Sequence, residues 1–226
     1  MKKNLLTFVL FSLCVAAQAQ MQISEVDAKR LKHRKVAKYL NSDELKTLQY
    51  FSEIQPSVSD SCDLSGFHFH RGLYIVNASV SDVWDVGVGA SPVELWRGKM
   101  LALACIYEAG RGGLFYPDDE PHEPLELHQI YFINLRIMRM FNVAAALMVT
   151  KVDEGERVIE FTYIGGNTSV GRQTLRLVGL GDSETIIVHD TFYRSGSTLR
   201  DRRFYPRFHQ IAITDLHKNL EMHAIE

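Results

Sequence analysis

Histidines are the side chains of this sequence best suited to acid–base or metal chemistry. His68 and His70 are two residues apart, so on a β-strand they would share one face, as metal ligands can. No cysteine or carboxylate lies close in sequence to complete a metal site. That favours an exposed strand face as the place of this pair.

A second group of metal-binding residue types lies in a loop. His122 and His128 flank Glu123 and Glu126, and such a cluster could bind a metal ion weakly. A plain polar loop has the same composition, and we favour that interpretation. We therefore expect neither a metal ion nor another cofactor.

Two further histidines raise the question of proton transfer. His189 and Asp190 are adjacent on a predicted strand, so their side chains point to opposite faces and cannot form a simple pair. His209 lies on a predicted helix. It could act as an acid or base near neutral pH, donate a hydrogen bond to a ligand, or lie at the surface beside Arg207.

Other catalytic patterns are missing from the sequence. Ser195, Ser197 and Thr198 lack the nucleophile-elbow pattern, and the glycine-rich stretches at 110–113 and 165–166 match no phosphate-binding loop. No residue set therefore establishes a catalytic reaction. The aromatic residues are most simply core, although some would line a cavity if one exists; they are Tyr131, Phe161, Tyr163, Phe192, Tyr193, Tyr205 and Phe208.

The first 19 residues have the three parts of a secretory signal. Lys2 and Lys3 are followed by a mostly apolar run at 5–17 and then by Ala17-Gln18-Ala19, which predicts cleavage after Ala19. The alternative, a membrane anchor, needs about 20 apolar residues, and this run is shorter. The sequence predicts an exported protein, periplasmic or secreted.

The composition limits the classes of protein to which the chain can belong. The net charge is −2, which gives no indication of nucleic-acid binding. The sequence contains no second long apolar run, so we expect no membrane span after cleavage of the leader. The length suits one domain with a substantial core. Export permits a disulfide between Cys62 and Cys105, and two unbridged thiols are equally compatible with their spacing.

Residues 20–65 are predicted to be a helical extension and a linker. The segment 24–53 is interpreted as helical and strongly basic, with Ser42 capping a second helix that carries Leu45 and Leu48. The basic run could favour an acidic partner or an anionic membrane, and a solvated helix face is the simpler interpretation. Residues 55–65 are rich in Ser, Asp and Pro, as is typical of a linker.

From residue 67 onward the pattern predicts an antiparallel sheet closed by a helix. A strand at 67–76 precedes a short helix that Ser79 or Ser81 could cap. Short turns then separate strand-like runs, which favours antiparallel neighbours. The runs lie at 101–107, 127–138, 143–152, 158–164, 173–178 and 185–193. A long amphipathic helix is predicted at 199–222, with Phe204, Phe208, Ile211 and Leu216 on its apolar side.

This order of elements resembles the START and birch-pollen-allergen superfamily, which includes polyketide-cyclase-like proteins. The segment YIVNASVSDVWDV at 74–86 is similar to that family's first strand and helix. EFTY at 160–163, GRQTLRL at 171–177 and TIIVHDTFY at 185–193 resemble its last three strands, and FYPRFH at 204–209 lies in a segment that resembles its closing helix. The resemblance covers residues 67–222, and the helical extension is additional to it.

The resemblance implies an α+β helix-grip fold over residues 66–226, in which a curved antiparallel sheet wraps a long C-terminal helix. It also implies an apolar cavity between the two. We expect that cavity to bind a small apolar ligand, and the predicted ligand-binding residues are Trp84, Arg136, Tyr163, Phe192 and His209. A carrier or sensor is the first hypothesis. A cyclase or dehydratase using His209 with Tyr163 or Arg136 is the second, and an interaction module with a filled core is the third.

Overall fold

A computed structural model describes residues 20–119, 121–137 and 141–225. The predicted leader at 1–19 lies outside the described residues. Within the described ranges, no helix combines the length and the apolar character needed to cross a membrane.

The regular elements follow the predicted order. The strands are β1 (His68–Val76), β2 (Leu101–Glu108), β3 (Gly113–Phe115), β4 (Ile130–Ile137), β5 (Phe141–Asp153), β6 (Val158–Tyr163), β7 (Ser169–Gly179) and β8 (Thr185–Ser195). The helices are α1 (Arg34–Leu40), α2 (Asp43–Lys46), α3 (Val80–Gly89), α4 (Pro92–Leu95) and α5 (Tyr205–Ala224). Single 3-10 turns occupy Ile23–Glu25 and Phe51–Glu53, and a π-helical turn at Arg200–Phe204 leads into α5.

All strands belong to one antiparallel sheet. Its order is β1-β8-β7-β6-β5-β4-β2-β3, so the meander runs from β4 to β8 and β1 joins at the far edge. Neighbouring strands of the meander pair antiparallel, which confirms the prediction from the short connections in the sequence. The sheet curves around α5, which is the α+β architecture expected from the sequence.

The helix α3 begins as the sequence predicts. The Ser79 side chain accepts a hydrogen bond from the Asp82 backbone N–H at 3.2 Å, so Ser79 rather than Ser81 is the cap. Val83 and Trp84 are buried, and they anchor α3 against the sheet and α5. The cap fixes where the helix starts, and the two apolar residues fix which side it buries.

The closing helix buries the predicted apolar side in part. Its buried residues are Ala212, Ile213, Leu216, His217 and Leu220. Of the predicted side, Leu216 is buried and the half-buried Phe208 faces the space under the helix, as does Phe204, which is 41% exposed. Ile211 is 48% exposed, so the prediction was wrong for that residue. It also missed Ala212 and His217, because it followed the largest apolar residues.

The N-terminal extension corrects a second prediction. The segment 24–53 is not two continuous helices but the short α1 and α2 with two 3-10 turns and irregular connections. Ser42 does cap α2, accepting a bond from the Leu45 N–H at 3.5 Å. The extension lies on the outer face of the sheet, where it forms a second core with β2, β4 and β5. Because the extension follows the surface of the sheet closely, residues 24–53 do not form long regular helices.

The second core explains why β2 and β4 are apolar on both faces. Phe51 of the extension stacks on Tyr107 with ring centroids 5.1 Å apart and meets Phe132 edge-on at 6.1 Å. Cys105 is fully buried in the same cluster. Neither Cys105 nor the half-buried Cys62 is bridged, so of the two alternatives the structure contains free thiols.

The linker after the extension contacts the turn between β6 and β7. The Ser57 N–H donates to the Tyr163 carbonyl at 2.6 Å, and the Gly171 N–H donates to the Ser57 hydroxyl at 3.1 Å. The Tyr39 hydroxyl donates to the Gly165 carbonyl. These contacts fix the turn that follows Tyr163, next to the cavity described below.

Candidate ligand cavity

A cavity of about 320 Å³ lies between α5 and the inner face of the sheet. That volume is at the lower end of the usual range for small-molecule sites, about 300–1,000 Å³. Most of its wall is apolar, contributed by the segment between α4 and β2, by the strands β2, β4 and β5 and by one side of α5. The apolar wall residues include Trp96, Met100, Leu101, Ile133, Leu135, Leu147, Ala212, Ile213 and Leu216.

One end of the cavity is polar and is formed by β6, β7, β8 and the start of α5. Gln173 is at its centre: its side-chain oxygen lies 2.9 Å from His189 Nε2 and 3.1 Å from His209 Nε2. His189 Nδ1 lies 3.1 Å from His217 Nε2. All of these contacts are satisfied if each histidine is neutral and carries its proton on Nε2. The amide of Gln173 then accepts two hydrogen bonds.

Burial keeps these histidines neutral. Desolvation lowers the pKa of His209 to about 3, with a further contribution from His70 and His217, and lowers the pKa of His217 to about 4. The pKa of His189 is lowered well below its usual value, first by desolvation and then by His209 and the other nearby histidines. With Nε2 as the donor, His209 Nδ1 is a buried acceptor that has no hydrogen-bond partner within the described part of the chain.

Two tyrosines complete the polar end. The hydroxyl oxygens of Tyr163 on β6 and Tyr205 on α5 are 2.5 Å apart, and both residues line the cavity. Burial raises the pKa of Tyr163 to about 12, and burial together with Tyr163 raises the pKa of Tyr205 well above its usual value. One hydroxyl must donate to the other, so the second O–H of the pair remains for another acceptor.

Aromatic stacking holds Tyr205 in place. Its ring lies on Tyr193 with centroids 3.6 Å apart and on His209 with centroids 5.2 Å apart. The Tyr193 hydroxyl in turn donates to the Asp201 carbonyl at 2.8 Å, at the π-helical turn. The polar end is therefore built on the sheet and on the first turns of α5 together, with several ring contacts fixing its geometry.

The cavity opens beside the start of the closing helix. Phe204 lines the cavity and is also 41% exposed, so the wall borders solvent at this point. Ile137 and Val143 line the cavity near the ends of β4 and β5, and Thr168 lines it on the β6–β7 turn. Arg200 also lines it, donating from Nε to the Ser195 hydroxyl at 2.8 Å.

Two of the five predicted ligand-binding residues line this cavity: Tyr163 and His209. Tyr163 shares the inner face of β6 with Phe161, and strand alternation had left open whether that face pointed inward. His209 projects from α5 toward Gln173. The structure thus brings both residues to the polar end, while their part in binding a ligand stays a prediction.

The other three predicted residues lie elsewhere. Phe192 is on the outer face of β8, where its ring is 5.0 Å from that of Phe69. Arg136 is exposed on β4, on the opposite face from the neighbouring lining residues Leu135 and Ile137. Trp84 is 4% exposed in the core beneath Arg157, whose guanidinium is 5.3 Å from the indole. Phe192 and Arg136 lie on the outward face because alternate residues of a strand point to opposite faces. Trp84 is kept from the cavity by the close packing of α3 against the core.

The structure corrects one of the two remaining histidine predictions and refines the other. His68 and His70 share a face of β1, but that face points toward α5, and His70 Nε2 lies 3.0 Å from the Gln210 side-chain oxygen. The strand face is therefore partly buried rather than exposed. His122 lies in a loop as predicted, but its ring is buried: its Nδ1 lies 3.2 Å from the fully buried carboxylate of Glu108, which Arg111 also pairs with at 2.9 Å.

The sequence contained one signal for the polar end that was missed. On β8 the inward residues include His189 and Thr191, whereas the outward residues include Ile186, Val188 and Phe192. Two polar side chains thus face the helix from the middle of this strand, between the inward Ile187 and Tyr193. Polar residues at inward positions of a strand next to a closing helix indicate a polar interior feature, here the network around Gln173.

Comparisons with known proteins agree with this architecture. No family model matches the sequence, and no curated protein matches it significantly. Solved structures do match. Norcoclaurine synthase from Thalictrum flavum, solved with dopamine and hydroxybenzaldehyde, has a TM-score of 0.52 at 16% identity, over 70% of this chain and 87% of that one. Major latex-like protein 151 from Panax ginseng has a TM-score of 0.52 at 10% identity, over 71% and 99%.

The chain has a helix-grip fold. The KanY protein supports the same assignment, with a TM-score of 0.52 at 8% identity over 71% of this chain and 99% of that one. The resemblance of residues 67–222 to the START and birch-pollen-allergen superfamily is thereby confirmed as a likeness of fold. These identities are too low to transfer a ligand or a reaction, since one fold serves many functions.

Proposed function

We propose that this helix-grip protein is an exported carrier or sensor that holds one small lipophilic molecule in its cavity. The proposal rests on the lining of the cavity, which is largely apolar and has a few hydrogen-bonding groups at one end. Small-molecule sites commonly combine an apolar wall with a few orienting polar groups.

The hydrogen-bonding groups at the polar end restrict the chemical class of ligand that fits. The tyrosine pair offers one O–H, and His209 Nδ1 offers one acceptor. The lowered histidine pKa values and the raised tyrosine pKa values leave these groups uncharged near neutral pH. The fitting ligand has an apolar body and one uncharged polar group, such as a hydroxyl or a carbonyl. An acidic ligand would need Arg200 at the opening instead.

The convergence of Tyr163, Tyr205 and His209 favours a cyclase-type enzyme as a second candidate. Proton transfer is most efficient when the pKa of the catalytic group is near the working pH. The pKa of His209 is about 3 and that of Tyr163 about 12, so neither matches neutral pH. Arg136, the other predicted catalytic partner, is on the outer face of the sheet. Binding therefore ranks above catalysis. A filled-core interaction module has no support in a structure with this open space.

Export rests on the N-terminal sequence pattern alone. We expect the protein recovered from its producing cell to begin at Gln20 or within a few residues of it, because Ala17-Gln18-Ala19 precedes that point. Intact-mass measurement decides this. A mass that includes residues 1–19 would contradict both cleavage and export by this route.

The ligand class is tested by native mass spectrometry of protein purified from its own host. A retained molecule of defined mass would name the ligand class directly. A dye that fluoresces in apolar surroundings should also bind saturably and be displaced by fatty acids, sterols or aromatic polyketides. Binding that none of these classes displaces, together with no retained molecule, would contradict the proposal.

A further inference from the structure

Basic side chains cluster beside the cavity opening. Arg202, Arg203 and Arg207 are exposed on the first turns of the closing segment, and none of them forms an ion pair within the described ranges. Asp201, the one acid among them, is 2% exposed and accepts bonds from the Ser195 N–H and hydroxyl. Asp201 therefore does not neutralise the three exposed arginines of this segment, although the whole chain has a net charge of −2.

Large apolar side chains are exposed on the same segment and at the start of β5. Leu199 is 60% exposed and Phe204 is 41% exposed, with the Phe204 ring stacked on Phe208 at 6.3 Å. Phe141, at 59% exposure, starts β5 and shares a strand face with the lining residue Val143. Exposed aromatic and leucine side chains next to unpaired arginines form the usual composition of a surface that enters a lipid interface.

We propose that this opening docks on an anionic lipid bilayer. The docking surface is defined as Phe141, Leu199, Arg202, Arg203, Phe204 and Arg207. Its apolar side chains would enter the headgroup region, and its arginines would pair with lipid phosphates and anionic headgroups. The charge of the surface complements such a bilayer, and the overall acidic balance of the chain cannot supply the attraction.

Docking at this position would place the cavity opening against the lipid. A lipophilic ligand could then pass between bilayer and cavity without crossing water. This transfer of a ligand rests on the proposed function. The docking itself does not, because it can be measured with no ligand present. An acidic protein partner would require the arginines alone and would give no role to the exposed Phe141, Leu199 and Phe204.

The test is binding of the full chain, as its producing cell leaves it, to phosphatidylcholine vesicles with and without phosphatidylglycerol. We expect binding to the mixed vesicles only, weakened by added salt. The triple variant R202Q/R203Q/R207Q should lose about fivefold in affinity per arginine, on the order of 100-fold in all. It should keep its melting temperature and its dye binding, because these arginines do not line the cavity.

A matched control removes three positive charges elsewhere. Arg34, Lys35 and Lys38 are exposed on α1, so R34Q/K35Q/K38Q changes the net charge equally and should bind vesicles nearly as the parent does. Equal loss in both triple variants would show only a general attraction and would overturn the proposal. Equal binding to neutral vesicles, or binding to polyglutamate with none to vesicles, would overturn it as well.

The apolar contact has its own readout. In F204W the new indole should shift its emission to shorter wavelength on mixed vesicles, against a background from Trp84 and Trp96, which are 4% and 6% exposed. An unshifted spectrum while the protein is bound would contradict insertion. Dye binding without vesicle binding would leave the proposed function intact and reject docking alone.

Discussion

The hydroxyl oxygens of Tyr163 and Tyr205 are 2.5 Å apart, which joins the sheet to the closing helix at the cavity wall. The contact has two consequences. It fixes the start of α5 over the polar end, and it leaves one O–H of the pair for another acceptor at the cavity wall. A structural link and a proposed ligand contact thus share the same pair of atoms.

Removing either hydroxyl should therefore affect both stability and binding. We expect Tyr163→Phe and Tyr205→Phe each to lower the free energy of unfolding by about 0.5–1.5 kcal/mol and to weaken ligand binding by a similar free energy. Urea unfolding and dye titration measure the two effects. Tyr131→Phe is the matched control, because the Tyr131 hydroxyl is buried against Gln129 at 3.1 Å, away from this cavity. If it weakens dye binding equally, the pair has no special role.

The neutral histidines predict how stability depends on pH. Their pKa values are lowered in the folded state, so the unfolded chain binds more protons once the pH falls below about 6.5. The stability they contribute is complete above that pH. It is lost as the pH falls toward about 4 and 3, where His217 and His209 titrate in the folded protein. The loss approaches about 1.4 kcal/mol per pH unit for each histidine.

The measurement is urea unfolding at pH 7 and pH 5. His217→Gln should flatten the dependence, because glutamine keeps an N–H donor for His189 and does not titrate. His128→Gln, at an exposed position, should leave the slope unchanged. Parallel slopes in all three proteins would mean that His217 is not buried in its neutral form.

The sheet topology could be predicted from the sequence because its signals are local. Short turns enforce antiparallel neighbours, and they separate β5, β6, β7 and β8 as expected. The inward face could not be predicted. Alternation shows which residues of a strand share a face, but it does not show which of the two faces points to the core. Tyr163 and Phe192 were expected to face one cavity, yet Tyr163 faces inward and Phe192 outward.

The position of the extension could have been anticipated from β2 and β4. Both strands are apolar at almost every residue, which is typical of strands covered on both faces. A single closing helix covers only one face, so a second cover was required. The contact of Phe51 with Tyr107 and Phe132 depends on distant parts of the chain, and no local pattern specifies it.

The buried side of α5 gives a stability prediction. Leu216 is 4% exposed in the main core, and Leu216→Ala should cost about 2–5 kcal/mol, out of a typical total of about 5–15. Ile211→Ala, at 48% exposure on the same helix, should change stability by less than about 0.5 kcal/mol. Thermal melts of the two variants make the comparison. Equal melting temperatures would mean that α5 buries another side.

Thiol labelling tests whether the extension covers the outer face. Cys105 is fully buried under it and burial raises its pKa, whereas Cys62 is only half-buried. The native protein should therefore label quickly at Cys62 and slowly at Cys105.

Phe51→Ala should speed labelling of Cys105, because losing this ring costs a core about 3–5 kcal/mol and loosens the cover. The rate at Cys62 is the internal control within each sample. Rapid labelling of Cys105 in the parent protein would show that the extension does not stay on the sheet.

The proposed ligand would occupy the space between α5 and the sheet, so filling that space with a side chain should abolish its binding. Ala212 lines the cavity, and Ala212→Phe should occupy much of it, whereas Ile211→Phe adds a ring to the exposed side of the same helix. The measurement is dye titration of the parent and both variants, each shown to be folded by its melting transition. We expect saturable binding in the parent and in Ile211→Phe, and at least a tenfold weaker affinity in Ala212→Phe, corresponding to about 1.4 kcal/mol. Unchanged affinity in a folded Ala212→Phe protein, or no saturable binding in the parent, would contradict a ligand site in this cavity.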